Sequence, residues 1–70
     1  MMDAKFISNV RQYRQLANMT QEELAEKVWV RRETIVRLEA GKYNPSLKLA
    51  IDISRVLDTP IEAIFIFDTA

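Results

Sequence analysis

Arg32, Glu33, Val36 and Arg37 fall on one side of a helically spaced segment, and Ile35 and Leu38 fall on the other. Two guanidinium forks, a carboxylate and an aliphatic group are the side-chain types that read base edges. Arginine pairs with guanine, glutamate accepts from the cytosine amino group, and an aliphatic group meets the thymine methyl. The plainer alternative is a solvated helix face on which Glu33 and Arg37 form an i,i+4 pair worth about 0.3 kcal/mol. These residues alone leave both readings open.

Other chemistries have less to work with. The sequence holds no His and no Cys, which removes the commonest general base, thiolate nucleophiles, disulfides and the usual transition-metal ligands. No Gly-rich loop follows a strand pattern, and the carboxylates sit on polar helix faces, so neither an enzyme nor a cofactor or metal site is expected. No apolar run approaches the roughly 18 residues of a membrane span, and the start of the chain lacks a signal-peptide core, so cytoplasm is the expectation. Ten basic and ten acidic residues give zero net charge, but the charge is unevenly placed. Residues 27–42 carry Lys27, Arg31, Arg32, Arg37 and Lys42 against Glu33 and Glu39, whereas residues 51–70 carry Arg55 against Asp52, Asp58, Glu62 and Asp68. One end is basic and the other acidic.

The elements that must hold the Arg32–Arg37 face read as helices. Phe6, Val10, Tyr13 and Ala17 recur at helical spacing and predict a first helix over about Ala4–Ala17, with Asn18 as a left-handed stop. Thr20-Gln21-Glu22-Glu23 reads as a capping box opening a second helix that runs to about Val28. A third spans about Arg32–Ala40 and is stopped by Gly41. Ser46 caps a fourth, whose stripe is Leu49, Ala50, Ile53, Val56 and Leu57, and Asp58 breaks it. Thr59-Pro60-Ile61-Glu62 reads as a second capping box before a short fifth helix. The run Ile64-Phe65-Ile66-Phe67 can finish that helix or form a short strand. Helices two and three are separated only by Trp29-Val30-Arg31, a geometry that lets the later helix enter a major groove.

The stretch from Met19 to Leu47, with its segments TQEELAEK and LEAGKYNPS, and the later TPIEAIF resemble the Xre family of phage-repressor-like helix-turn-helix regulators, in its minimal form. The resemblance runs from about Val10 to Phe65. It implies an all-α, five-helix, lambda-repressor-like fold as one domain over 1–70, the helix-turn-helix at 20–40, with the tail helical or ending in a short C-terminal β-strand. It implies double-stranded DNA as partner, on a pseudo-palindromic operator, with Arg32, Glu33, Val36 and Arg37 at base-contact positions. Gln21 falls where relatives clamp a phosphate, and Arg31, Thr34, Lys42, Tyr43 and Asn44 fall at further phosphate positions. Tyr43 and Asn44 serve equally well as simple loop closure, and Thr34 as packing. Arg14 and Glu39 match a pair that relatives join as a partly buried salt bridge.

The sequence departs from the family pattern at three residues. Trp29 stands where the family usually has Gly or a small or polar residue, in a turn that often needs positive φ; the ring is an exposed or packing aromatic, or a contact to DNA or ligand. Arg31 replaces the usual Ser, so helix three loses a cap worth about 1 kcal/mol and gains a cation. Glu33 replaces a Gln that would read adenine.

One such domain reads few base pairs, and a two-fold dimer doubles the site. A 70-residue chain also buries only about 60% of its unfolded surface, which favours association. The apolar surplus at the acidic end places the expected homodimer interface at Ile51, Ile64, Ile66 and Phe67, in a segment of about 59–70. Ile64 and Phe65 also qualify as core. A repressor without a small-molecule ligand is the expected function. A protein-binding helix-turn-helix module, such as an antitoxin component, is the rival.

Overall fold

The computed structural model describes residues 5–68, and side chains from Ile7 to Ile66. In order come β1 (Lys5–Ser8), α1 (Val10–Leu16), α2 (Gln21–Lys27), α3 (Arg32–Glu39), α4 (Leu47–Leu57), α5 (Ile61–Ile64) and β2 (Phe65–Asp68). The five helices are those the spacing predicts, and the tail takes the strand alternative. The described part is therefore mostly helical with one two-stranded antiparallel sheet, in register Ser8↔Phe65, Ile7↔Ile66, Phe6↔Phe67 and Lys5↔Asp68.

The first helix is shorter than its spacing predicts, because residues 5–8 are strand and the helix begins at Val10. A local period cannot register a partner nearly sixty residues away. Asn9 fixes the change of direction: its backbone N–H donates to the Ile64 carbonyl at 2.7 Å, and its Nδ2 donates to the Ala63 carbonyl at 3.1 Å. A two-stranded ribbon is marginal alone. This one is held because Ile64 and Phe65, where α5 becomes β2, are buried in the core.

The core collects Val10, Leu24, Ala25, Val28, Ile35, Leu38, Leu49, Ala50, Ile53, Leu57, Ile64 and Phe65. Helices α2, α3 and α4 supply residues at helical spacing and α1 supplies Val10, and burial of each large side chain contributes roughly 1.5–3 kcal/mol. Ile64 is 0% exposed, which corrects its assignment to a dimer interface: its side chain is spent on the core and cannot meet a second copy.

The caps show how local chemistry sets the boundaries. Thr20 Oγ1 accepts from the Glu23 backbone N–H at 3.0 Å, and Glu23 Oε1 accepts from the Thr20 N–H at 2.8 Å, completing the box. Ser46 Oγ accepts from the Leu49 N–H at 3.1 Å. The second box does not form: Thr59 Oγ1 donates back to the Leu57 carbonyl at 2.9 Å, and Pro60 stands at the α5 cap with no side-chain hydrogen bond. A donor-hungry carbonyl at the end of α4 lies closer to that hydroxyl than the next helix does.

All four longer helices end alike, with a left-handed residue whose successor donates back to a carbonyl of the last turn. Met19 N–H reaches the Arg14 carbonyl, Val30 that of Ala25, Lys42 that of Arg37, and Thr59 that of Ser54. The left-handed residues are Asn18 (φ 58°), Trp29 (φ 61°), Gly41 (φ 73°) and Asp58 (φ 52°). Asn, Gly and Asp are the types that tolerate this conformation; a tryptophan there costs about 1 kcal/mol relative to glycine.

Candidate nucleic-acid interface

The turn between α2 and α3 is set by that strained cap, and α3 is oriented by the core beneath it. Ile35 and Leu38 are fully buried in one core with Leu24 and Ala25 of α2 and Val28 at its C-cap. With the inner side fixed, Arg32, Glu33, Val36 and Arg37 are left exposed on the outer side, Val36 at 39% of its surface. Arg31 opens α3 in extended conformation without a side-chain cap, as its replacement of a serine predicts, and its guanidinium is exposed. Thr34 is half-buried, its N–H donating to the Arg31 carbonyl. Lys42, Tyr43 and Asn44 are exposed in the loop after α3.

The predicted Arg14–Glu39 pair forms. Arg14 Nε donates to Glu39 Oε2 at 2.6 Å and Nη2 to Oε1 at 3.2 Å, while Nη1 donates to the Met19 carbonyl at 2.8 Å. Both side chains are nearly buried, at 10% and 6% exposure. This fork joins the end of α1 to the end of α3. The two-point geometry and the third acceptor satisfy a buried guanidinium that cannot lose its proton.

Gln21 is drawn into the same network, since its Nε2 donates to Glu39 Oε1 at 3.1 Å. The resemblance places Gln21 at a phosphate position but does not reveal this contact. One amide N–H is thereby spent inside the protein, and the amide plane is fixed by a residue of α3. Around it opens a cleft of about 420 Å³ lined by Arg11, Arg14, Gln21, Val36, Glu39 and Ala40. Arg11 was missed from sequence. Its exposed guanidinium, one turn before Arg14 on α1, shares this cleft with Val36 of the exposed side of α3. The i,i+3 spacing of Arg11 and Arg14 was the available signal.

Charge and shape thus place four arginines and a lysine, namely Arg11, Arg31, Arg32, Arg37 and Lys42, on α3 and its immediate flanks. Among the described residues no group of three or more acidic, His or Cys side chains could hold a metal ion, and no helix is long and apolar enough to cross a membrane.

A family profile described as helix-turn-helix matches residues 10–64, from the start of α1 to the end of α5. The chain belongs to the Xre-like helix-turn-helix family. This helix-turn-helix protein is 64% identical over 61 residues to an uncharacterized HTH-type transcriptional regulator of Archaeoglobus fulgidus, covering 87% of this chain and 86% of that one. Its fold is similar to that of the restriction-modification controller protein C.AhdI from Aeromonas hydrophila, with a TM-score of 0.72 at 26% identity, over 77% of this chain and 82% of that one. It is also similar to the clp gene regulator ClgR from Corynebacterium glutamicum, with a TM-score of 0.74 at 25% identity, over 79% of this chain. The match spans 58% of the ClgR chain, a little over half its length. The family is one of DNA-binding transcriptional regulators, not enzymes.

Proposed function

We propose that this helix-turn-helix regulator binds double-stranded DNA sequence-specifically as a homodimer, with α3 in the major groove, and acts in the cytoplasm as a repressor. The observation that carries this reading is the division of α3: Ile35 and Leu38 locked into the core, and Arg32, Glu33, Val36 and Arg37 presented together to solvent. Arg32 and Arg37 address guanine, Glu33 the cytosine amino group and Val36 a thymine methyl. Gln21, Arg31, Thr34, Lys42, Tyr43 and Asn44, joined by Arg11, hold the backbone on either side and fix the register. Repression then follows from occupancy of the site.

The dimer is assigned to the acidic end, in the segment of about 59–70. Ile66 is 43% exposed and lies directly across the ribbon from Ile7, which is 54% exposed. That cross-strand pair is an apolar patch, and Ile51 on α4 and Phe67 on β2 complete the assigned surface; the Phe67 side chain lies outside the described residues. Two copies joined there would present their α3 helices to half-sites about one helical turn apart. Ile66→Asp is expected to leave the domain folded, give a monomer in sedimentation, and weaken operator binding. A dimer that survives the change removes Ile66 from the interface.

Selection of bound sites from a pool of random duplexes tests the reading as a whole. The expected product is a two-fold symmetric sequence, bound with an affinity that falls linearly on a log scale with salt, by about 0.9 per neutralised phosphate. A pool that yields no enrichment, or an affinity indifferent to salt, moves the function to a protein partner. Within the selected site, Glu33→Gln is expected to change the preferred pair at one position per half-site, from the one offering a cytosine amino group to one offering adenine. Identical sites from both proteins would take Glu33 out of the base-reading set.

A further inference from the structure

Trp29 is the only tryptophan in the chain, and two properties set it apart. Its backbone is left-handed at φ 61°, in a cap position that glycine fills without strain. Its side chain is 88% exposed, so little packing within the protein offsets that conformation. Strain at a single exposed residue is the kind that persists for a contact made outside the chain.

The surroundings identify that contact. Trp29 precedes Arg31 and Arg32, which open the recognition helix. Across an open cleft of about 290 Å³, it faces Ser46, Lys48, Leu49 and Asp52 at the start of α4. The ring therefore stands between the turn that enters α3 and the helix start to which the Lys42–Asn44 loop leads. Both segments flank the face assigned to DNA. The acidic group in the cleft, Asp52, is ion-paired to Lys48 at 2.6 Å, and the exposed cations nearest in sequence to the ring are Lys27, Arg31 and Arg32. An indole has an apolar body and one N–H donor. A deoxyribose next to a phosphate offers an apolar face and an acceptor oxygen to match. A protein partner needs a contact of about 800 Å² on each side. One ring beside a small open cleft, apolar at Val28, Val30 and Leu49 and charged only at Lys48 and Asp52, does not supply that.

We propose that Trp29 is a DNA contact, its indole lying on the sugar–phosphate backbone beside the recognition helix and its N–H donating to a phosphate oxygen. This assignment rests on the DNA-binding reading above. It makes the left-handed tryptophan a trade of fold stability for affinity, one that separates two quantities a merely structural residue would move together.

The sole tryptophan is also its own reporter. Titrating the protein with the duplex recovered by site selection is expected to quench the indole emission and shift it to the blue, saturating at the binding stoichiometry. Trp29→Gly is expected to raise Tm by roughly 5 °C, as the left-handed strain is relieved, and to weaken that duplex about tenfold. Trp29→Phe keeps an aromatic ring under the same strain, and is expected to retain most of the affinity with Tm unchanged. Trp29→Asn, which tolerates the backbone without a ring, is expected to follow Trp29→Gly. The inference is overturned if the emission is indifferent to saturating duplex, or if Trp29→Gly and Trp29→Asn hold the duplex as tightly as the parent; DNA binding by the parent then stands without Trp29. A parent chain that enriches no duplex at all overturns the underlying reading and this one with it.

Discussion

Replacing Arg32 and Arg37 together with alanine is expected to weaken the selected duplex by at least about thirtyfold while leaving the thermal unfolding curve in place. The two halves of that expectation come from different parts of α3. Both residues are exposed, and among the described residues neither guanidinium donates to another side chain or to a carbonyl. Alanine is the best helix former, so the outer face tolerates the change. Ile35 and Leu38, which anchor α3, are untouched. On the DNA side, each good bidentate contact to guanine contributes roughly 1–3 kcal/mol of discrimination, and two of them correspond to a loss between about thirtyfold and ten-thousandfold. Binding by fluorescence anisotropy and unfolding by circular dichroism, on the same preparation, separate the two effects. If the double variant remains folded and still holds the duplex as the parent does, the face between Arg32 and Arg37 is a solvated surface and α3 is not the reading head.

Which parts of this arrangement were readable before the fold was known follows from the range of the interactions involved. Thr20 with Glu23, Ser46, Asn18 and Gly41 were legible because each acts within four or five residues of itself, where side-chain type and spacing suffice. The Arg32–Arg37 face was legible for the same reason, since periodicity alone divides α3 into two sides. Strand β1 was not: Phe6 and Ile7 are placed by pairing with Phe67 and Ile66 at the far end of the chain, and their spacing from Val10 mimics a helix. Thr59 misled because its sequence context is that of a cap, while the end of α4 offered its hydroxyl a nearer acceptor in the Leu57 carbonyl. Ile64 was ambiguous between core and interface until the turn into β2 folded it inward. The Gln21–Glu39 contact joins different helices, and nothing local announces it, whereas Arg11 was signalled only by its i,i+3 spacing from Arg14. The resemblance supplied the Arg14–Glu39 pair, which spacing by itself could not.

That pair carries the other large expected effect. Glu39→Ala is expected to lower Tm by roughly 15–30 °C, because breaking a buried ion pair from one side costs about 3–5 kcal/mol in a domain this small. Arg14 would keep its charge in a nearly closed site with the Met19 carbonyl as its remaining acceptor among the described residues. The damage therefore comes from the orphaned guanidinium more than from the lost attraction. Removing both partners distinguishes these causes. Arg14→Met with Glu39→Met takes the charge out of the core at similar volume, and is expected to recover most of the lost Tm in scanning calorimetry. Recovery of the fold need not restore the recognition surface, since Gln21 would have lost the acceptor that fixes its amide beside Arg11 and Val36. The double variant should then be stable yet bind the selected duplex several-fold more weakly than the parent. Should it match the parent in affinity, Glu39 serves the fold alone. A stable but weaker binder means that one carboxylate both closes the core and aims the group beside the DNA, which is a physical reason for keeping an ion pair where a methionine would fold as well.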